Sequence, residues 1–479
     1  MSVVKLVTID KASIDWIESN EKSLVEISDK IWKFAELGLV EFKSSALLCG
    51  EFEKHGFKVE KNVAGMPTCF IATFGGGKPT IGIMGEYDAL PGMSQKPLPL
   101  EAPIDPEKPG HGCGHNIHGT SGAAAAIAVA KALKKQGKGT IRFFGCPAEE
   151  NFSSKVFMVR DGYFDDVDAV ISHHPDTMNA VTLKSCLAVN STKFHFHGKA
   201  THAAGSPEHG RSALDAVELM NIGANYMREH IIQEARLHYV VEKGGGQPNV
   251  VPPYARSWYY IRAPERDQVE SIYNWLLDIA KAAAMMSRTS LDIEFIEGSY
   301  NVIPNRIIAE AIVHNMRKVG LPSYDEADLE FGKRVGETIT REMKISQLQK
   351  SKRPHWERLV DKLIDEEIPG PWGDGEISYG STDVADVSWQ IPTVEFGTAT
   401  YVLGTPAHSW QAVAQSAAGI GHKSLIFAAK VMATTAIDLM SNQETLKAAK
   451  KEHKQRLANR KYRSPLQANQ KPPLDIWQR

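Results

Sequence analysis

Residues 140–150 read TIRFFGCPAEE. Thr140–Gly145 is a short apolar run of strand length, and two adjacent carboxylates, Glu149 and Glu150, stand just beyond it. A buried strand that delivers ionisable groups at its end is how an open α/β sheet builds a site, because ligands collect outside the strand ends. The pattern repeats along the chain. Thr80–Gly85 runs into Glu86-Tyr87-Asp88-Ala89-Leu90-Pro91, and Ala169–Ser172 runs into His173-His174-Pro175. Thr393–Phe396 reads as another strand, and His408 follows it in a loop of small residues. Helical patterns alternate with these strands. Ile14, Ile17, Leu24, Ile27, Ile31 and Phe34 recur at helical spacing within residues 12–56, while Thr120–Lys135 and Ala412–Leu439 are Ala-rich. The alternation predicts an α/β fold whose catalytic domain is a mixed, largely parallel sheet with helices on both faces.

Near residue 187 the pattern changes. Ser191–His197 alternates polar and apolar, helical Ser212–His230 follows, and then come strand-like Leu237–Val241 and Ala255–Ile261, helical Arg266–Met285 and alternating Leu291–Ile296. The order β-α-β-β-α-β is ferredoxin-like. It predicts an inserted α+β domain at 187–300, splitting the catalytic domain into segments 1–186 and 301–440. Arg306–Glu367 reads as a long charged helical region, and Pro369–Gly375 as a turn. The remaining segment, 441–479, carries eight Lys/Arg against one Glu between Lys447 and Arg463, the pattern of a solvated helix or fraying tail. Gly75-Gly76-Gly77-Lys78 lacks phosphate-loop spacing and reads as a turn between strands.

Composition narrows the function classes. A chain of 479 residues exceeds what one hydrophobic core fills. With 55 Lys+Arg against 57 Asp+Glu the net charge is −2, which gives no whole-molecule case for nucleic acid or an anionic membrane as partner. Cys49, Cys69, Cys113, Cys146 and Cys186 are odd in number and widely spaced, which points to reduced thiols in a reducing compartment. Met1–Asn20 is interrupted by Asp10, Lys11, Asp15 and Glu18, so no signal peptide is expected there, and Gly122–Ala132 is too short to span a bilayer. The expected location is the cytoplasm.

The densest chemistry is His111-Gly112-Cys113-Gly114-His115-Asn116-Ile117-His118. A thiolate and an imidazole two residues apart, with glycines that let the backbone turn, can reach one metal ion or bridge two. The set is incomplete and needs ligands from elsewhere. Glu149-Glu150, the His173-His174 pair and His408 supply them, each just past a strand. Of two adjacent carboxylates, one can bind metal while the other stays free as a general base. Asp88 suits a carboxylate that orients a ligating imidazole.

The motifs GEYDALPG (85–92), GHGCGHNIHG (110–119), PAEE (147–150), HHP (173–175), THAAGSPEHGRSALDA (201–216), GGGQPNVVP (244–252) and GSTDVADVS (380–388) occur in one order. Together they resemble the di-metal aminoacylase/carboxypeptidase family of amidohydrolases, in its Cys-ligand branch. The resemblance implies that Cys113, His115, Glu150, His174 and His408 hold two divalent ions, Mn²⁺ or Zn²⁺. It implies that Glu149 is the general base and that His202, on the inserted lid or dimerisation domain, reaches into a neighbouring subunit's site. Asn249 and Arg262 match residues that hold a substrate carboxylate, and Asp88 matches the acid behind the ligands. The implied substrate is a small carboxylate-bearing amide, an N-acyl or N-aroyl amino acid. GEYDALPG, the Pro-rich loop 93–109 and GHGCGHN resemble most the members that cleave p-aminobenzoyl-glutamate to p-aminobenzoate and glutamate. Hydrolysis of indole-3-acetyl-amino acids, general aminoacylase activity, dipeptidase activity and a structural role beside a catalytic subunit are the alternatives. The implied assembly is a homodimer or a heteromer with a related A subunit. Asn116 and Glu86 stand where the branch usually has Asp.

Overall fold

The computed structural model describes residues 11–477, apart from the side chains of Lys135 and Gln136. Residues 1–10 of the N-terminal stretch in which no signal peptide is expected, and residues 478 and 479 of the tail, lie outside the described residues. In chain order the strands are β1 Lys58–Lys61, β2 Phe70–Gly76, β3 Thr80–Glu86, β4 Gly139–Cys146, β5 Ala169–Asp176 and β6 Ser185–Cys186. They continue as β7 Ala188–His197, β8 Arg236–Lys243, β9 Tyr254–Ala263, β10 Ser290–Ser299, β11 Ile377–Ser378 and β12 Thr393–Ala399.

Six strands form the large sheet in the order β1-β2-β4-β3-β5-β12. β4, β3, β5 and β12 run parallel, whereas β2 is antiparallel to both of its neighbours. β3 is buried along its whole length, as a central parallel strand covered on both faces must be. One face packs on the Ala-rich helices through residues such as Ile127, Val129, Phe143, Ile312 and Phe427. The other face packs through Phe144, Phe157, Phe164 and Val387. The mixed, largely parallel sheet with helices on both faces is therefore what the chain forms.

The helix that carries the first ligand candidates, His115–Gln136, begins five residues earlier than the sequence pattern suggests. His, Asn and Gly are weak helix formers and hide its first turn. Two glycines make that turn possible. Gly114 sits at φ +74°, and a Cβ there would meet the Tyr401 hydroxyl at 2.3 Å. A Cβ on Gly119 would lie 2.6 Å from the Glu86 carbonyl, so the helix can press against the end of β3 only with glycine at that position.

β10-β7-β9-β8 form a second, wholly antiparallel sheet. Helices Ala213–Met227 and Arg266–Ser287 pack on it through Val217, Met220, Tyr259, Leu276 and Ala280. This is the expected ferredoxin-like order of elements. β8 is an edge strand and exposes Val240 and Val241.

Three expectations change in detail. Arg306–Glu367 is not one run but the helices Arg306–Val319, Glu326–Gly336 and Arg341–Ser351, each started by a side-chain cap from Asn305, Asp325 or Thr340. Ala412–Leu439 is two helices, Trp410–Gln415 and Gly419–Ser441. Between them the Ser416 carbonyl accepts from Asn116 Nδ2 instead of continuing a helical ladder. Gly419–Ser441 is long and apolar enough to cross a membrane, but 89% of its apolar window is buried inside the protein. Finally, the segment after 441 is not a loose tail. Helix Gln443–Leu457 is followed by chain that buries Leu466, packs Tyr462 on Tyr300 with ring centroids 4.8 Å apart, and donates from Trp477 to the Gly38 carbonyl. These anchors have no period, so charge patterning could not reveal them.

Candidate metal centre

The parallel strands end on one side of the large sheet, and their ends bring the ionisable groups together. His115 opens its helix, Glu150 follows β4, His174 lies near the end of β5, and His408 sits in the loop after β12. Cys113, His115 and His174 form one grouping in which a ligand atom of each lies within 4.8 Å of the others, and Cys113, Glu150 and His408 form a second. Cys113 Sγ is common to both. His174 Nε2 stands 3.4 Å from that sulfur, and His408 Nε2 stands 3.3 Å from Glu150 Oε2.

Hydrogen bonds orient the imidazoles. His115 Nδ1 donates to Asp88 Oδ1 at 2.8 Å, and His174 Nδ1 donates to the Pro175 carbonyl at 2.8 Å. Each bond leaves Nε2 as the nitrogen that would offer its lone pair to a metal ion. Asp88 also accepts from the Glu150 amide at 3.0 Å, so one carboxylate positions two ligand candidates. His173 points elsewhere: its nitrogens meet Ser121 Oγ and Thr398 Oγ1. His111 is buried and bonds the Ile31 carbonyl.

Two ligand-bearing turns are strained. Ala148, just before Glu149, has φ +58°, and His408 has φ +53°. Non-glycine residues adopt this region at a cost, and such residues gather at functional sites. Buried Glu41 supports the first turn by accepting from the Ala148 amide at 2.8 Å.

The electrostatics fit cations. Burial opposes ionisation of Cys113, but His174, His115 and His408 outweigh it and hold the thiol well below its usual range. Burial and then the Cys113 charge push Glu150 up to about 8, and burial with Glu86 and Asp383 raises Glu149 well above the usual carboxylate range. His115 Nε2, Glu150 Oε1 and Glu86 Oε2 are buried without hydrogen-bond partners. His115 and Glu150 share groupings with Cys113, so their orphaned atoms beside a thiolate are a donor set that divalent ions would satisfy.

Beneath the cluster lies a charge network that sequence reading missed. Lys155 is fully buried, with Nζ 2.6 Å from both Glu86 Oε1 and Asp383 Oδ1. Glu86, His115 and Glu149 form another close grouping, so Lys155 neutralises acids that surround Glu149. The available signals were a lysine in the apolar stretch 154–159, SKVFMV, and the acid of GSTDVADVS. Glu86, His118 and Glu395 also cluster within 4.8 Å. His118 Nδ1 accepts from the Glu86 amide at 2.6 Å, so its Nε2 carries the proton and faces Ser172 Oγ and the two carboxylates as a donor. Only Ser172 Oγ, at 3.2 Å, is within hydrogen-bond distance of Nε2, with the carboxylates 3.9 and 4.0 Å away, and with Nδ1 accepting and Nε2 protonated the ring has no free lone pair for ligation.

His202, Asn249 and Arg262 belong to the second sheet unit, and none is a member of these groupings. His202 and Asn249 are exposed, and Arg262 is half-buried on β9. His202 Nδ1 accepts from the amides of Ala204 and Gly205 at 3.2 and 3.0 Å, so the neutral ring presents Nε2–H outward.

Comparison with known proteins agrees with this architecture. The chain is 39% identical over 468 residues to the B subunit of p-aminobenzoyl-glutamate hydrolase from Escherichia coli (strain K12), covering 96% of this chain and 97% of that one. It is 26% identical to Xaa-Arg dipeptidase of Mus musculus, covering 95% of this chain and 94% of that one. Among solved structures, a dinuclear metal binding peptidase of Bacillus subtilis superposes with a TM-score of 0.55 at 17% identity, covering 88% of this chain and 99% of that one. Residues 82–448, most of the chain and all of the cluster, match the model of peptidase family M20/M25/M40, and the chain belongs to that family.

Proposed function

We propose that the protein is a two-metal amidohydrolase that cleaves N-acyl or N-aroyl amino acids, with p-aminobenzoyl-glutamate the leading substrate. The observation that carries this reading is the shared sulfur: Cys113 stands in both ligand groupings, one completed by His115 and His174 and the other by Glu150 and His408. These five residues would hold the ions, either Mn²⁺ or Zn²⁺, since thiolate, imidazole and carboxylate suit both. Bound there, two divalent ions lower the pKa of a water and polarise the substrate carbonyl.

The remaining chemistry falls to the chain's own groups. Glu149 accepts the proton of the attacking water and passes it to the leaving nitrogen. Its raised affinity for a proton, from burial and from Glu86 and Asp383, suits a carrier that must hold the proton between the two transfers. His202 donates Nε2–H to the developing oxyanion. Its exposed position, with a ring pre-set as an outward donor, fits a histidine that serves the site of a second subunit. Arg262 offers a planar fork for the substrate carboxylate beside Asn249. The edge strand β8 with Val240 and Val241, and the exposed Ile222 and Tyr226 on helix Ala213–Met227, offer an apolar face for pairing of two such units. That partner is a second copy or a related A subunit, as the name of the Escherichia coli relative suggests. Five unpaired cysteines fit a reducing compartment, the cytoplasm.

A second reading, a dipeptidase, is favoured by the similarity to Xaa-Arg dipeptidase along 95% of the chain. A purely structural subunit is disfavoured by the complete ligand set and the intact Glu149. The deciding experiment is a hydrolysis panel on metal-reconstituted protein purified without a partner subunit. The expected order is p-aminobenzoyl-glutamate first, ahead of indole-3-acetyl-aspartate and dipeptides. Cleavage of dipeptides alone would replace the first reading with the second.

A further inference from the structure

Between β12 and the loop around Ser378–Asp383 lies a cavity of about 490 Å³ that none of the roles above uses. Met178, Trp372 and Cys186 give it apolar walls, and Thr382, Asp176 and Glu395 line it with polar atoms. None of the candidate ligands lines it, but its walls continue the elements that carry them. Asp176 lies two residues beyond His174, and Thr382 precedes Asp383, the partner of Lys155. Glu395 Oε2 is 4.0 Å from His118 Nε2. An oxygen of Glu86 lies within 4.8 Å of Glu395, and one lies within the same distance of Glu149. Buried Glu86 therefore neighbours both the Glu395 carboxylate and the candidate base.

The charges around the cavity are not equally matched. Asp176 Oδ1 accepts from the amides of Thr177 and Met178. Lys184, at the rim, donates to the Ser351 carbonyl and pairs with Glu376. Glu395 differs. Its side chain is 26% exposed, it accepts from Ser172 and faces the neutral, donor-tautomer ring of His118 at 4.0 Å, and among the described residues no Lys or Arg pairs with it. It stands on a strand, Thr393–Ala399, whose Val394 and Phe396 go into the apolar core. A partly desolvated carboxylate beside an apolar wall is strengthened by a ligand that brings N–H donors on an apolar body.

We infer that this cavity is a substrate subsite in which Glu395 accepts hydrogen bonds from an N–H-bearing group remote from the scissile amide. The inference rests on the hydrolase reading above, whose two candidate substrate classes each carry such a group: an arylamine on the acyl side or a guanidinium on the amino-acid side. Glu395 is thus a specificity residue and not a ligand.

The test uses the metal-loaded full chain and two substrate pairs, p-aminobenzoyl-glutamate against benzoyl-glutamate and Ala-Arg against Ala-norleucine. Glu395→Leu is expected to lower the kcat/KM ratio within one pair about tenfold, and the pair affected identifies the source of the donor. Glu395→Gln retains an acceptor oxygen, so it should restore most of an arylamine preference but little of a guanidinium preference. Titration calorimetry of p-aminobenzoate against benzoate reads the arylamine arm without turnover. An equal loss on both members of each pair, or unchanged ratios, would overturn the subsite. If calorimetry shows Glu395-dependent selectivity while the wild-type protein cleaves none of the four compounds, the subsite stands and the hydrolase reading falls.

Discussion

The proposed metal half and the proposed substrate half of the site are built in opposite ways. Cys113, His115, Glu150 and His174 sit near strand ends and a helix start of the large sheet, where Asp88 bonds His115 and the Glu150 amide, Glu41 braces the Ala148 turn and Lys155 pairs with the neighbouring Glu86. His202 and Asn249 stand exposed on the second unit, and Arg262 has a buried Nε without a hydrogen-bond partner. The first half is braced by hydrogen bonds within the chain, while the second leaves His202 and Asn249 exposed and Arg262 Nε unsatisfied. Metal holding demands fixed geometry before the ligand arrives, whereas substrate clamping needs groups that close on the ligand afterwards. On the proposed roles, the five candidate ligands stand together in the chain and the three candidate substrate residues stand apart from them.

That division is tested most directly at Glu149. Glu149→Gln should keep two ions per chain by elemental analysis and lose roughly 10²–10⁴-fold in kcat. Wild-type turnover would remove Glu149 from the metal half as its base. His202→Ala should lose about 10²–10³-fold in kcat with its metal intact. Mixing it with Glu149→Gln protein, after dissociation and reassembly, should recover activity if the outward histidine serves the neighbouring site. No recovery would place His202 in the site of its own chain. Arg262→Ala should raise KM for carboxylate substrates about tenfold with little change in kcat, as loss of a charge-assisted hydrogen bond implies. Equal activity of both proteins on a carboxamide analogue is the control, and a lost preference for the carboxylate confirms the clamp.

The smallest effect on turnover is expected where the two halves join. Asp386 accepts from the amide of Tyr300, just past β10, and from the hydroxyl of Tyr462 in the C-terminal segment. Burial pushes its carboxyl up to about 7. A folded-state value above the unfolded one means that the native state holds this proton more tightly. Its stabilising contribution is full below about pH 4 and is lost as pH rises through about 7, with a slope of at most about 1.4 kcal/mol per pH unit. Asp386→Asn should flatten that part of the pH dependence of denaturant unfolding while leaving kcat near wild type. An unchanged slope would show that the joint does not titrate.

Much of the metal half was legible because its residues follow strands of recognisable pattern. TIRFFG announces β4 and therefore the position of Glu149 and Glu150, and AVIS announces β5 and the histidine pair after it. The choice between His173 and His174 was not legible from alternation alone. It depends on which face of β5 meets Cys113 and which meets Ser121 and Thr398. The roles of Lys155 and Glu395 are illegible in the sequence for a related reason. A single charge in an apolar stretch has no period to mark it, and only its partners across the chain give it a role. The docked C-terminal segment escaped for the same cause, since Tyr462, Leu466 and Trp477 contact residues far away in sequence.

Read alone, the order of amino acids settles the α/β alternation, the ferredoxin-like order of the second unit and the identity of the ligand-type residues, because periodicity and strand-end chemistry are local properties of a chain. The folded molecule was needed to show that Cys113 is shared by two groupings, that Lys155 bridges Glu86 and Asp383, and that Glu395 opens onto a cavity. Those facts depend on the strand order β4-β3-β5-β12, which aligns strand ends as far apart in the chain as Glu86 and Ala399. Distance along the backbone carries no information about that alignment, and the packing of the helices on both faces of the sheet is what imposes it.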